Sequence, residues 1–206
     1  MIFSEEIGFE NELQENISIE DIRKEYNDGI IIWLNGSGAS QEGKMGAYRC
    51  VLDYKGHVKF IEKQLPEATA NQSMIIGAID AVQCVNKSVR IYLITPTALG
   101  FATAFKGKGT NSVLIQQLYE IIKQKNCQLT EVQFINGGDA IKKFVFSCNP
   151  DKTQINLYEK QREKKQENRM KYKEMVYQEC LEKVAQILRK NAVDTDLIEA
   201  IREIRP

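Results

Sequence analysis

The chain of 206 residues is long enough for one ordinary domain and an appendage, and 43% hydrophobic with 27% charged residues is a folding composition. Its formal net charge is zero, so bulk electrostatics recruit no polyanion, and a nucleic-acid surface has to come from local clustering of charge. No apolar run approaches ~18 residues and the acidic stretch Met1 to Glu15 has no basic-then-apolar leader, so the expectation is a cytoplasmic protein with no membrane span.

Residues 1–28 read as an acidic, irregular arm with one short helix: Ser18 stands at its N-cap, Glu20 and Asp21 fill the first turn, and Asn27-Asp28-Gly29 ends it. Ile30 to Leu34 are β-branched, aromatic or aliphatic and too few for a buried helix, which makes a central strand. Asn35-Gly36-Ser37-Gly38 then has the chemistry of a sharp turn, and Asn35 closes the strand facing whatever pocket lies there. Gly46 to Tyr54 and Val58 to Leu65, joined by Lys55-Gly56, complete an antiparallel meander.

Pro66 breaks the strand pattern. From Asn71 the apolar residues fall at helical spacing (Met74, Ile75, Ala78, Ile79, Val82, Val85) until Asn86-Lys87-Ser88. Val89 to Ile94 lacks polar alternation, as in a strand covered on both faces, and stops at Thr95-Pro96-Thr97. A flexible basic loop, Lys106-Gly107-Lys108-Gly109, leads to an amphipathic helix after Ser112. Leu129 to Ile135 is the last strand, Asn136-Gly137-Gly138 turns it, and Asp139 is placed to cap a short helix from Ala140 to Phe146.

Five cysteines (Cys50, Cys84, Cys127, Cys148, Cys180) lie far apart without a C-x-x-C pair, and His57 is the single histidine. Free thiols in a reducing compartment are expected, and no zinc or other metal site. The element order βββαβαβα calls for an α/β fold, a mixed five-stranded sheet with helices on its faces. In such sheets the working crevice lies at the carboxyl ends of the strands, here at Asn35, Pro96 and the Asn136-Gly137-Gly138 turn.

Residues from about 29 to 147 resemble the ribonuclease H family. Asn35-Gly36-Ser37 stands where that family has Asp-Gly-Ser, and Gly46 to Gly56 is similar to its second strand and turn. Ala70-Asn71-Gln72-Ser73-Met74-Ile75-Ile76 resembles its Thr-Asn-Asn-x-x-Glu-Leu helix start, and Thr95-Pro96-Thr97 its Thr-Asp-Ser. The family holds two divalent metals on four carboxylates. Carried over position by position, those carboxylates fall on Asn35, Ile75, Pro96 and Asp139, of which only the last is acidic. The resemblance therefore implies a ribonuclease H-like domain without catalysis and without a cofactor; a divergent active ribonuclease using Mg²⁺ is the alternative. It also places Asn71 and Gln72 where the family grips a hybrid duplex. Neutral donors (Asn35, Ser37, Ser40, Asn71, Gln72, Ser73) with Lys106 and Lys108 are the candidate contacts to an RNA–DNA hybrid or duplex.

Residues 151–206 form a third segment after the arm (1–28) and the domain (29–150). Between Lys160 and Lys173 seven basic residues, among them Lys164, Lys165 and Arg169, face only Glu163 and Glu167. From Tyr172 an apolar stripe follows (Val176, Cys180, Val184, Ile187, Leu188, flanked by Leu181), and Asp196 begins a last short helix through Ile204. The basic part suits phosphates, and residues 158–206 suit a protein partner. The expected role is a nucleic-acid-binding or scaffolding subunit of a processing assembly, the other alternative being a pure interaction module acting through these helices.

Overall fold

A computed structural model describes residues 8–15, 17–39, 45–104 and 106–190. The chain divides into two compact units, Met1–Asp151 and Lys152–Pro206. The first contains β1 (Glu10–Glu15), α1 (Ile19–Glu25), β2 (Ile30–Ser37), β3 (Met45–Tyr54), β4 (His57–Pro66) and α2 (Ala70–Gln83). It continues with β5 (Arg90–Thr95), α3 (Phe101–Ala104), α4 (Ser112–Gln124), β6 (Gln128–Ile135) and α5 (Gly138–Ser147).

One sheet runs in the order β1-β6-β5-β2-β3-β4. β2, β3 and β4 form the antiparallel meander, while β5 lies parallel to β2 and β6 parallel to β5. From β2 onward this is the βββαβαβα order of a ribonuclease H-like domain, a mixed α/β fold. Lys55 and Gly56 both adopt positive φ (52° and 85°), as a two-residue hairpin turn requires. Two elements add to the expected plan. The sheet has six strands rather than five, because β1 pairs in parallel with β6 through Glu10↔Thr130 to Glu15↔Ile135. A short helix, α3, also precedes α4.

The strand alternation of β2 splits the core in two. Ile32 and Leu34 join Tyr48, Cys50 and Leu52 under α2 and α4. Ile31 and Trp33 join Val51, Tyr92, Val132 and Phe134 under α1 and α5, where the Trp33 and Phe144 rings lie 4.8 Å apart between centroids. Buried areas of this kind contribute ~25 cal/mol per Å² and carry most of the stability. The N-terminal arm is tied in by polar contacts as well. Tyr26 Oη donates to Glu12 at 2.6 Å, and Arg23 Nε meets the buried Asp53 carboxylate at 2.6 Å.

The second unit is a single helix, α6 (Lys152–Lys190), 39 residues long and continuous across the point where the polar composition begins. Ala185 is buried on it, with Tyr177, Leu181 and Leu188 half-buried, whereas Tyr172, Val176, Cys180, Val184 and Ile187 of the expected stripe are exposed. The expected helix from Asp196 to Ile204 lies outside the described residues. No helix among the described residues is long and apolar enough to cross a membrane.

Candidate functional site

The carboxyl end of β2 is shaped by glycine. A Cβ on Gly36 would sit 2.6 Å from the Ala70 carbonyl oxygen and 2.6 Å from Met74 Cγ, and one on Gly46 would sit 2.7 Å from the Ala68 oxygen. Ala39 N–H donates to the Ala68 carbonyl at 2.9 Å, and Ser73 Oγ donates to the Ser37 carbonyl at 3.1 Å. Asn35-Gly36 is therefore not the expected hairpin turn. The strand runs on, pairing Gly36 with Tyr48 and Ser37 with Ala47, and Gly36 is there so that the start of α2 can press against the sheet. Thr69 caps α2 with a full capping box, its Oγ1 accepting from Gln72 N–H at 3.2 Å while Gln72 Oε1 accepts from Thr69 N–H at 2.9 Å.

Because Trp33 faces the α5 side and Leu34 the α2 side, alternation sends Asn35 to the α5 side. Across the sheet from it stands Arg49, whose Nη2 pairs with Glu62 Oε1 at 2.5 Å and whose guanidinium lies 4.7 Å from the centre of the Phe146 ring. Arg49 Nε and Trp33 Nε1 are buried with no hydrogen-bond acceptor among the described residues. The Arg49–Glu62 pair is close to neutral in sum, and the neighbourhood keeps two spare donors.

The β2–β5 register ends at Trp33↔Ile94 and, carried two residues further, sets Pro96 beside Asn35. A Cβ on Gly138 would lie 3.5 Å from Pro96 Cβ, so the start of α5 adjoins Pro96. Asp139 is exposed in the first turn of α5; the cap is Gly137, which corrects the expectation that Asp139 caps this helix. A carboxylate in that first turn is favoured by the helix dipole. Ile75 lies on the other face of the sheet and is fully buried among Leu34, Tyr48 and Ala78.

These four positions supply one amide, one buried aliphatic chain, one pyrrolidine ring and one exposed carboxylate. Hard divalent cations held as a pair need several anionic oxygens around them, and the carboxylate opposite Arg49, Glu62, is held in its ion pair with that guanidinium. Among the described residues no three His, Cys, Asp or Glu side chains come together. The donor set does not fit a two-metal centre. Asp53 is taken by Arg23 and by the Gly56 N–H at 3.0 Å, and Asp80 accepts from the Tyr48 hydroxyl and faces Lys63 at 3.7 Å.

Of the expected nucleic-acid contacts, Asn71 and Lys108 share one cleft. They line a cleft of about 230 Å³ with Thr103, Thr110, Asn111 and Ser112, between the start of α2 and the start of α4. Lys106 is exposed on the same loop, and Ser37 is exposed with Oγ donating to the Ala47 carbonyl at 3.4 Å. Ser73 is corrected: fully buried, its hydroxyl serves the Ser37 carbonyl and faces no ligand. Gln72 has its side-chain oxygen committed to the capping box. Ser40 lies outside the described residues. On α6, described by itself, Lys164, Lys165 and Arg169 are exposed, and Arg162, Lys165, Arg169 and Lys173 fall within one face at helical spacing.

Glu131 was not visible as special in the sequence. It is 1% exposed on β6, where Oε1 accepts from the Leu99 N–H at 2.7 Å and Oε2 from Asn11 Nδ2 at 2.9 Å. Burial pushes its carboxyl above the ordinary value, while those two donors pull it back down. It pins the chain after β5 to β1 and so sets one wall of the cleft containing Leu99.

No family model matches the sequence, and no curated protein does. Among solved structures the chain is similar to RNase H1 from the halophilic archaeon Halobacterium salinarum NRC-1, at 16% identity and a TM-score of 0.38, covering 52% of this chain and 84% of that one. The mixed six-stranded sheet and its connections are consistent with a ribonuclease H-like fold.

Proposed function

We propose that this protein is a non-catalytic ribonuclease H-like subunit that binds nucleic acid within a larger nucleic-acid-processing assembly. The observation that carries this reading is the replacement of the metal-holding set by Asn35, Ile75 and Pro96, with Arg49 paired across from Asn35. Binding is supported by the Asn71–Lys108 cleft and by the basic face of α6, both rich in donors to phosphate oxygens and poor in acid. The exposed apolar side chains Tyr172, Met175, Val176 and Val184 on α6 favour a protein contact as a second role of that helix.

The test uses a labelled RNA–DNA hybrid, with cleavage in Mg²⁺ or Mn²⁺ and binding followed on the same probe. The expected result is binding without cleavage. Engagement of Lys106, Lys108 and the four basic residues of the α6 face would give a log–log salt slope near roughly −5, at about 0.9 per phosphate on a B-form duplex. Cleavage that vanishes in Asp139→Ala would overturn the non-catalytic reading and favour the divergent enzyme. Absence of both binding and cleavage would leave α6 as a protein-interaction element.

A further inference from the structure

A second concavity lies at the opposite end of the sheet from the crevice. It is a groove of about 380 Å³ between the start of β2, the β3–β4 hairpin and the connection from α2 to β5. Its floor is apolar: Leu52, Val85 and Val89 with Ile30 and the thiol of Cys84. Volume and lining fall within the range of small-molecule sites, which are mainly apolar with few polar groups. At the mouth Tyr54 and Val58 leave 46% and 48% of their surfaces in water, an apolar rim with no cover from this domain.

The charged groups at this rim, Lys59 and Lys87, share one sign, beside the neutral Asn86. Lys59, Lys87 and His57 line it, and no carboxylate does among the described residues. Lys59 Nζ donates to Cys84 Sγ at 3.2 Å, and a thiol is a weak acceptor that an incoming carboxylate readily displaces. The wall is held in advance. Lys125 Nζ donates to the carbonyls of Gln83 and Val85 at 3.2 and 2.6 Å, and Ser88 Oγ donates to the Asn126 carbonyl. A pre-formed wall removes ordering cost from binding.

We propose that this groove binds a small amphiphile, a free monocarboxylate with an alkyl chain. The chain lies on Leu52, Val85 and Val89, and the head accepts hydrogen bonds from the lysine rim. Charge complementarity selects the anion: an alkyl cation would meet Lys59 and Lys87 with no counter-charge in the groove.

Cys84 gives a built-in reporter, because it lines the groove, while Cys180 on α6 is exposed and serves as an internal reference. Alkylation of each by iodoacetamide is followed by peptide mass spectrometry in the full chain, with decanoate below its micelle concentration as the probe. Decanoate at ten times its dissociation constant slows Cys84 alkylation roughly tenfold and leaves Cys180 unchanged. Decyltrimethylammonium at the same concentration slows neither thiol. Val58→Trp, which places an indole over the mouth from an exposed position, and the pair Lys59→Gln with Lys87→Gln both weaken the protection ratio. The proposal is overturned if decanoate fails to protect Cys84, if the cation protects it equally, or if Cys180 slows in parallel. It is also overturned if protection survives both sets of substitutions.

Discussion

Ile75→Glu puts back the carboxylate that the ribonuclease H resemblance places on this helix, and the structure gives a definite cost for it. Ile75 is fully buried on the α2 side of the sheet. Losing its burial costs about 2 kcal/mol, and leaving even a neutral carboxyl there without a partner costs about 1–3 kcal/mol more. The introduced acid then titrates. Burial holds its folded-state pKa above the unfolded one, so the native state binds more protons between the two values and stability falls as pH rises through that window. The fall is as steep as about 1.4 kcal/mol per pH unit. Near neutrality the sum is comparable with the roughly 5–15 kcal/mol that holds a domain folded. The assay is urea denaturation at pH 4 to 8, followed by fluorescence of Trp33, the single and fully buried tryptophan. Ile75→Gln serves as the partner variant, with a similar cost and no pH slope beyond that of wild type. A loss under about 1 kcal/mol at pH 7 with a pH profile parallel to wild type would mean the side chain reaches water in the crevice. That result would refute the assignment of Ile75 to the core, and with it the strongest support for a lost metal site.

Two further perturbations test the frame around the crevice. Glu131→Gln keeps the shape and, after a flip of the Asn11 amide, both hydrogen bonds. The buried carboxyl is pushed up by burial, so wild-type stability falls as pH rises from the ordinary glutamate value towards its raised folded one. The variant lacks that fall and gains on wild type with rising pH; parallel urea-midpoint curves would contradict this. Gly36→Ala drives a methyl to 2.6 Å from the Ala70 carbonyl oxygen, a backbone atom that moves only if α2 moves. An overpacking loss of about 1–3 kcal/mol is expected in calorimetry, or about 2–4 °C of melting temperature per kcal/mol. An unchanged midpoint would show that α2 does not press on β2.

Much of this was legible because the signals were periodic. The switch from alternation in Tyr48-Cys50-Leu52 to helical spacing in Met74-Ile75-Ala78-Ile79 gave the meander and its following helix. β1 was missed because Glu-Asn-Glu-Leu-Gln-Glu offers a single apolar residue; it is held by backbone pairing with β6 and by Tyr26 and Glu131, partners far away in sequence. Asn35-Gly36 carries the strongest local hairpin signal, yet the glycine answers a contact with a helix some 35 residues further on. Ser73 looked like a free donor for the same reason: its acceptor, Ser37, is remote in sequence. The charge of the candidate site was half visible. That the resemblance puts its carboxylate positions on Asn35, Ile75 and Pro96 could be read position by position, but that Arg49 stands across from Asn35 follows only from the β2–β3 register.

The six-stranded order matters to anyone who would trim this chain to the part with a recognisable pattern. Cutting at residue 29 removes β1 and α1 together, leaving the outer row of N–H and C=O groups on β6 unpaired beside Val132 and Phe134. A bare edge flanked by apolar side chains is a template for the next molecule's strand. β1 covers that edge with glutamates at 10, 12 and 15, so the acidic arm acts as a selvedge, the finished border that keeps one sheet from being sewn to another.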